Sequence, residues 1–139
     1  MSDALARVHA LLARDPAPLS AGIEIVEASE GGVELAMTVR PDMVNSAGVA
    51  HGGWIFILAD TAFAYAMTTA APGALTAGAE IRFRRPAYAG QRLRAVARVE
   101  RISGRDILAH ADVFTTAPEP IAVFTGTGRV PRSATGATS

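Results

Sequence analysis

The 139-residue chain is predicted to fold as one α+β domain, an antiparallel β-sheet wrapped around a single long helix, with a short helix at the N-terminus. Three observations predict it. The stretch 52–71, GGWIFILADTAFAYAMTTAA, is apolar nearly all round, the pattern of a helix buried inside a globular protein. Two segments before it and four after it alternate apolar and polar residues with the period of a strand. Within each group the alternating segments follow one another through short turns, which marks antiparallel neighbours.

Residues 2–14 place Leu5, Val8, Leu11 and Leu12 at helical spacing, and Asp15-Pro16 ends the run. This N-terminus carries acids and lacks an unbroken apolar core, so it reads as an amphipathic helix and not as a signal peptide, and a cytoplasmic location is expected. Gly22 to Glu27 alternates as a strand, Glu30-Gly31-Gly32 turns, and Val33 to Val39 alternates again, a hairpin. Arg40 to Ala50 is a loop with Pro41, Asp42, Asn45 and Gly48.

The long apolar stretch has the length of a membrane span. Asp60 near its middle is costly in lipid, and the nearest arginines, Arg40 and Arg82, flank neither end, so a buried helix of a globular protein is favoured. Pro72-Gly73 stops it. Strands follow at Ala79–Arg85, Arg92–Arg101, Asp106–Thr115 and Ile121–Val130, with turns at Tyr88-Ala89-Gly90, Ser103-Gly104 and Ala117-Pro118-Glu119-Pro120. The domain spans 1–131, and the small polar residues 132–139 form a flexible tail.

Composition excludes several chemistries. There is no cysteine, so neither disulfides nor thiolate nucleophiles exist. His9, His51 and His110 are scattered and form no metal site. GTGRV at 126–130 lacks the spacing of a nucleotide fingerprint, and no serine elbow is present. The net charge of zero is unevenly spread: residues 1–80 hold three arginines against nine acids, and residues 81–139 hold ten arginines against four. Such asymmetry fits an anionic ligand at one end of the molecule, and equally fits two halves that neutralise each other on the surface.

Asp60 is the first candidate for chemistry, because a carboxylate in an apolar helix is expensive unless paired or used. His51-Gly52-Gly53 is the second. It opens the long helix, where free N–H groups and the positive end of the dipole gather, and its glycines admit a close carbonyl. That makes a natural oxyanion site, and equally an ordinary flexible helix start. Asn45 could orient a substrate or be a plain turn residue, and Thr76 could position a water or be an ordinary strand threonine. Arg84 and Arg85, at a strand end in the arginine-rich half, suit phosphate oxygens or serve as solvated charges.

The string HGGWIFILADTAFAYA, preceded by MVNSAGVA, closely resembles the PaaI-type thioesterases of the hotdog superfamily. The shared pattern is N-x5-H-G-G-x6-D: Asn45, His51, Gly52, Gly53 and Asp60. Phe83-Arg84-Arg85-Pro86, followed by Gly90, also looks like the family's strand after the helix. The resemblance covers nearly the whole chain. It implies a six-stranded hotdog fold, a dimer commonly paired into a tetramer, and hydrolysis of an acyl-CoA thioester with an aryl-acetyl group such as phenylacetyl or hydroxyphenylacetyl. It implies Asp60 as general base or nucleophile and the Gly53 amide polarising the carbonyl. Asn45 and His51 would hold the thioester end, and Thr76 would orient water. Gly52, Phe83, Arg84, Arg85 and Pro86 are expected to line the substrate site. Coenzyme A enters as part of the substrate, and no cofactor, nucleic acid or membrane partner is expected. Two rival readings are an acyl-CoA-binding protein without turnover and a lyase acting on enoyl-CoA.

The spacing adds one constraint. Gly53 and Asp60 are seven residues apart on one helix, an axial rise of about 10.5 Å. A carbonyl held at about 3 Å by Gly53 is therefore out of reach of the same chain's Asp60, and each site is expected to be shared between two subunits.

Overall fold

A computed structural model of the protein describes residues 2–132. Of the expected tail, residues 133–139 lie outside the described residues.

Helix α1 (Asp3–Ala13) starts at Ser2, whose hydroxyl accepts the Leu5 amide at 3.1 Å, an N-cap. Val8 and Leu12 of the expected stripe are buried. Asp15-Pro16 stops this helix as expected, but the chain does not then turn into a loop. Pro16 opens a second, five-residue helix, α2 (Pro16–Ser20), at the position where its missing N–H is harmless. So short an element leaves no periodicity to read.

Strands β1 (Glu24–Ser29) and β2 (Gly32–Thr38) form the expected hairpin. A single 3-10 turn (Pro41–Met43) precedes the long helix α3 (Gly52–Ala70). Then come β3 (Leu75–Phe83), β4 (Arg92–Ser103), β5 (Asp106–Phe114) and β6 (Ala122–Arg129). All pairings are antiparallel, in the order β1-β2-β4-β5-β6-β3. After α3 the chain crosses to the far edge, pairs β3 with β6, and returns to place β4 beside β2. The helix is thereby laid across one face of the sheet. No helix among the described residues is long and apolar enough to cross a membrane.

The sheet approaches α3 closely because its facing residues are small. Ala95, Ala97, Ala109 and Ala111 are each at most 2% exposed. The bulk comes from the helix and the flanking rows: Leu58, Phe63 and Met67 on α3, Leu35 and Met37 on β2, and Phe124 on β6. Phe124 lies between Phe56 and Phe63, with ring centroids 5.5 and 5.3 Å away. The glycines of GTGRV belong to this packing. A Cβ on Gly126 would lie 2.6 Å from the Phe63 ring, and one on Gly128 would overlap Met67 Sδ. The second half of α3 is clamped from outside the sheet. Tyr65 Oη donates to Asp15 Oδ2 at 2.8 Å, and Arg7 Nη2 donates to the Thr69 carbonyl at 3.2 Å.

Two expectations need correction. The long helix is not enclosed on every side. Gly53 is exposed, and Ile57, Asp60, Ala64 and Thr68 are only half-buried; spaced four, three, four and four apart, they form one open stripe. A single sheet covers one side of a helix, and the N-terminal helices cover only part of the rest. Strand β3 runs over Leu75–Phe83, not Ala79–Arg85, so Arg84 and Arg85 follow it. Its register shifts between Thr76 and Gly78, and this bulge through small residues hides the alternation of its first half. β3 is an edge strand, and every residue but Ile81 is exposed.

Gly126→Ala is expected to destabilise the fold by about 1–3 kcal/mol, the usual cost of overpacking a core. Combining it with Phe63→Leu should recover part of that loss. Denaturant unfolding of the single and double variants checks both; equal stability of Gly126→Ala and the parent would contradict this account of the β6 glycines.

Candidate active site

The site is assembled around the first turn of α3. The loop before it is closed on itself by the Val44–Ala50 bridge and by Asn45, whose N–H donates to the Val49 carbonyl at 2.9 Å. Asn45 Oδ1 also accepts the amides of Ala47 (2.9 Å) and Val49 (3.1 Å). Gly48 takes the left-handed conformation the loop requires, with φ +80. The loop is tied to the segment after β3 by Ala50 N to the Ala87 carbonyl, 2.8 Å, and by the Val49–Tyr88 bridge. Asn45 is thus first an organiser of its own loop, with its Nδ2 left to donate.

His51 is the N-cap residue of α3, exposed and without a side-chain capping bond. Its amide is taken by the Met43 carbonyl at 2.9 Å. The helical ladder begins with Trp54 N to the His51 carbonyl, 3.1 Å, so the Gly52 and Gly53 amides have no acceptor among the described residues. The two glycines serve different ends. A Cβ on Gly52 would lie 2.8 Å from Cζ of Phe83, so glycine lets that ring lie over the helix start. A Cβ on Gly53 would meet nothing within 4 Å, so there is open space beside this exposed residue, whose amide has no acceptor among the described residues and lies at the positive end of the helix.

Asp60 lies on the same stripe of α3 as Gly53, two turns on. It is half-buried, with no hydrogen-bond or ion-pair partner for its carboxylate among the described residues. Burial alone pushes its carboxyl above the ordinary 3.8. α3 runs unbroken from Gly52 to Ala70, so the spacing of about 10.5 Å between Gly53 and Asp60 stands in the folded chain.

A cavity of about 430 Å3 opens beside the helix start, and its wall includes Gly52, Ile55, Phe83, Arg84, Arg85 and Pro86. Val49 and Ala50 complete the lining, so five of the eight were named from the sequence; Val49, Ala50 and Ile55 were not, since nothing distinguishes them from other apolar residues of the loop and of α3. Arg84 and Arg85 both donate their backbone N–H to the Ile121 carbonyl, at 2.7 and 3.2 Å. Their side chains differ. Arg85 pairs with Glu119, whereas Arg84 has no partner among the described residues. Two larger hollows of about 610 Å3 lie on the outer face of the sheet and contain none of the residues named for chemistry. Thr76 is not brought to Asp60. It pairs with Gly128, which packs on Met67, about 10.5 Å further along the helix. Among the described residues no group of three or more His, Asp or Glu side chains could hold a metal ion.

A sheet wrapped on one helix, with an open amide at the helix start and a lone carboxylate on its exposed stripe, is the arrangement of a hotdog thioester-cleaving protein. The Thioesterase superfamily family model matches residues 47–122, from the loop before α3 to the start of β6. The chain is 34% identical to the acyl-coenzyme A thioesterase PaaI of Escherichia coli K12 over 118 residues, 85% of this chain and 84% of that one. The structure of the E. coli PaaI protein from the phenylacetic acid degradation operon superposes with a TM-score of 0.85 at 32% identity, covering 88% of this chain and 89% of that one. A mutant of the phenylacetic acid degradation protein PaaI from Thermus thermophilus superposes with a TM-score of 0.80 at 32% identity, covering 84% of this chain and all of that one. The chain belongs to the thioesterase superfamily, as a PaaI-type hotdog thioester hydrolase.

Because the folded protein holds the Asp60 proton more tightly than the unfolded chain, stability falls as pH rises from 3.8 through the raised value. Asp60→Asn is therefore expected to melt above the parent at neutral pH, with the difference closing as the pH drops below 3.8. Thermal melts across pH check this; a variant that melts lower at pH 7 would show that the carboxylate is held by a stabilising partner.

Proposed function

We propose that the protein hydrolyses acyl-CoA thioesters to a free acid and coenzyme A, with Asp60 as general base or nucleophile. The observation that carries the reading is the pair on one helix stripe: an open Gly53 amide at the helix start and an unpartnered, half-buried Asp60. The Gly53 N–H polarises the thioester carbonyl and takes up the negative charge that develops on its oxygen. Asp60 removes a proton from the attacking water, or attacks itself and is released by water. The C–S bond then breaks, and the coenzyme A thiolate leaves and takes a proton. His51 and the Asn45 Nδ2, both at the helix start, hold the thioester end.

The acyl group is proposed to be aryl-acetyl, phenylacetyl or hydroxyphenylacetyl. The two PaaI relatives, both described as phenylacetic acid degradation proteins, support it. The cavity wall of Gly52, Phe83 and Pro86, with Arg84 at its mouth, is the proposed seat of the pantetheine and phosphate part.

The working unit is proposed to be a homodimer, paired into a tetramer, in the cytoplasm. β3 offers an exposed edge whose free backbone groups a second copy can satisfy. The distance from Gly53 to Asp60 makes one chain insufficient, so the helix start of one subunit serves the carboxylate of the other.

A panel of acyl-CoAs with a thiol reagent tests the activity, and the protein contributes no thiol of its own. Aryl-acetyl-CoA is expected to give the highest kcat/KM, and Asp60→Asn to lose at least about 10²-fold in kcat. Binding of acyl-CoA with no thiol release from any member of the panel would sink the proposal. The shared site has its own test. Asp60→Ala and Gly53→Val are each expected to be inactive, and after subunit exchange the mixture should regain roughly a quarter of parental activity. No recovery despite verified exchange would place both groups in one chain.

A further inference from the structure

The two arginines at the mouth of the cavity are neighbours in sequence and share a backbone acceptor, yet only one is engaged. Arg85 is paired with Glu119, and both side chains are half exposed, 52% and 66%. Arg84 has no side-chain partner among the described residues. Glu119 sits in the β5–β6 loop between Pro118 and Pro120, and the next residue, Ile121, supplies the carbonyl that both arginine N–H groups share. The carboxylate is therefore anchored beside the arginine pair by a stiff segment. None of this was visible in the sequence, where Glu119 stands 34 residues from Arg85 in an ordinary turn.

We infer that Glu119 is a specificity-determining residue: it neutralises Arg85 and opposes the anionic tail of the thioester carrier, leaving Arg84 as the guanidinium open to phosphate. The inference rests on the acyl-CoA reading of this cavity. An exposed ion pair is weak, so a diphosphate can displace or share it, but it must do so against the negative charge of Glu119 beside Arg85. A neutral carrier arm meets no such opposition. Glu119 thus narrows the advantage that coenzyme A holds over shorter, phosphate-free thioester carriers. Its removal should act oppositely to removal of either arginine.

Calorimetric titration with coenzyme A and with pantetheine, on the parent, Glu119→Gln, Arg84→Gln, Arg85→Gln and Glu119→Gln/Arg85→Gln, tests it. Glu119→Gln is expected to bind coenzyme A about twofold to fivefold more tightly, the scale of an exposed charge interaction, with pantetheine affinity unchanged. The gain should shrink with added salt and be smaller in the Arg85→Gln background, where only the direct opposition of Glu119 to the phosphates remains to be lost. Coenzyme A binding that weakens in Arg84→Gln and Arg85→Gln but is unaltered or weakened in Glu119→Gln would overturn this inference and leave the thioesterase reading standing. Absence of coenzyme A binding in all five proteins would overturn the reading of the cavity, and this inference with it.

Discussion

A 19-residue apolar helix can be packed against a single sheet only if the sheet comes close along its whole length. That closeness needs small residues in the middle of the sheet and large ones at its margins. Ala95, Ala97, Ala109 and Ala111 supply the first, and Gly126 and Gly128 extend it where Phe63 and Met67 press into β6. The register of β4 and β5 follows from it, because the alternation of these two strands must present their alanines to the helix.

The same geometry creates the site. One sheet cannot surround a cylinder, so a stripe of α3 stays open, and Gly53 and Asp60 both fall on it. The fold thus provides at one place a helix N-terminus with unused N–H groups and a carboxylate whose proton affinity burial has raised. It also separates them by two turns of helix, the spacing on which the proposed two-chain site rests. The exposed β3 edge lies on the margin of the sheet, where such a chain can add its own strand.

The uneven charge of the sequence is in part neutralised within the sheet. Arg92 pairs with Glu24 and Arg94 with Glu34, so basic residues of the second half neutralise acids of the first across the β1-β2-β4 strands. Arg129 with Asp106 does the same within the second half. These pairs are half exposed and contribute little to stability. Arg84, left out of this pairing, stands at the cavity beside the helix start, where an anionic ligand would gain from it.

The sequence by itself determined the fold class, the order of the main elements and the candidate groups Asp60, Gly53 and His51. Each of these rests on a local signal: period-two alternation, one continuous apolar helix with a single charge in it, glycines at the helix start. Five of the eight cavity-wall residues were also legible, through the likeness of HGG and FRRP to a known pattern. Tertiary structure alone decided the rest. The α2 helix and the bulged first half of β3 have no period long enough to read. That Thr76 lies about two helix turns beyond Asp60, and that Glu119 engages Arg85 but not Arg84, depend on which strands lie side by side. Strand order is set by how the whole chain closes over one helix, and no local window of residues contains that information.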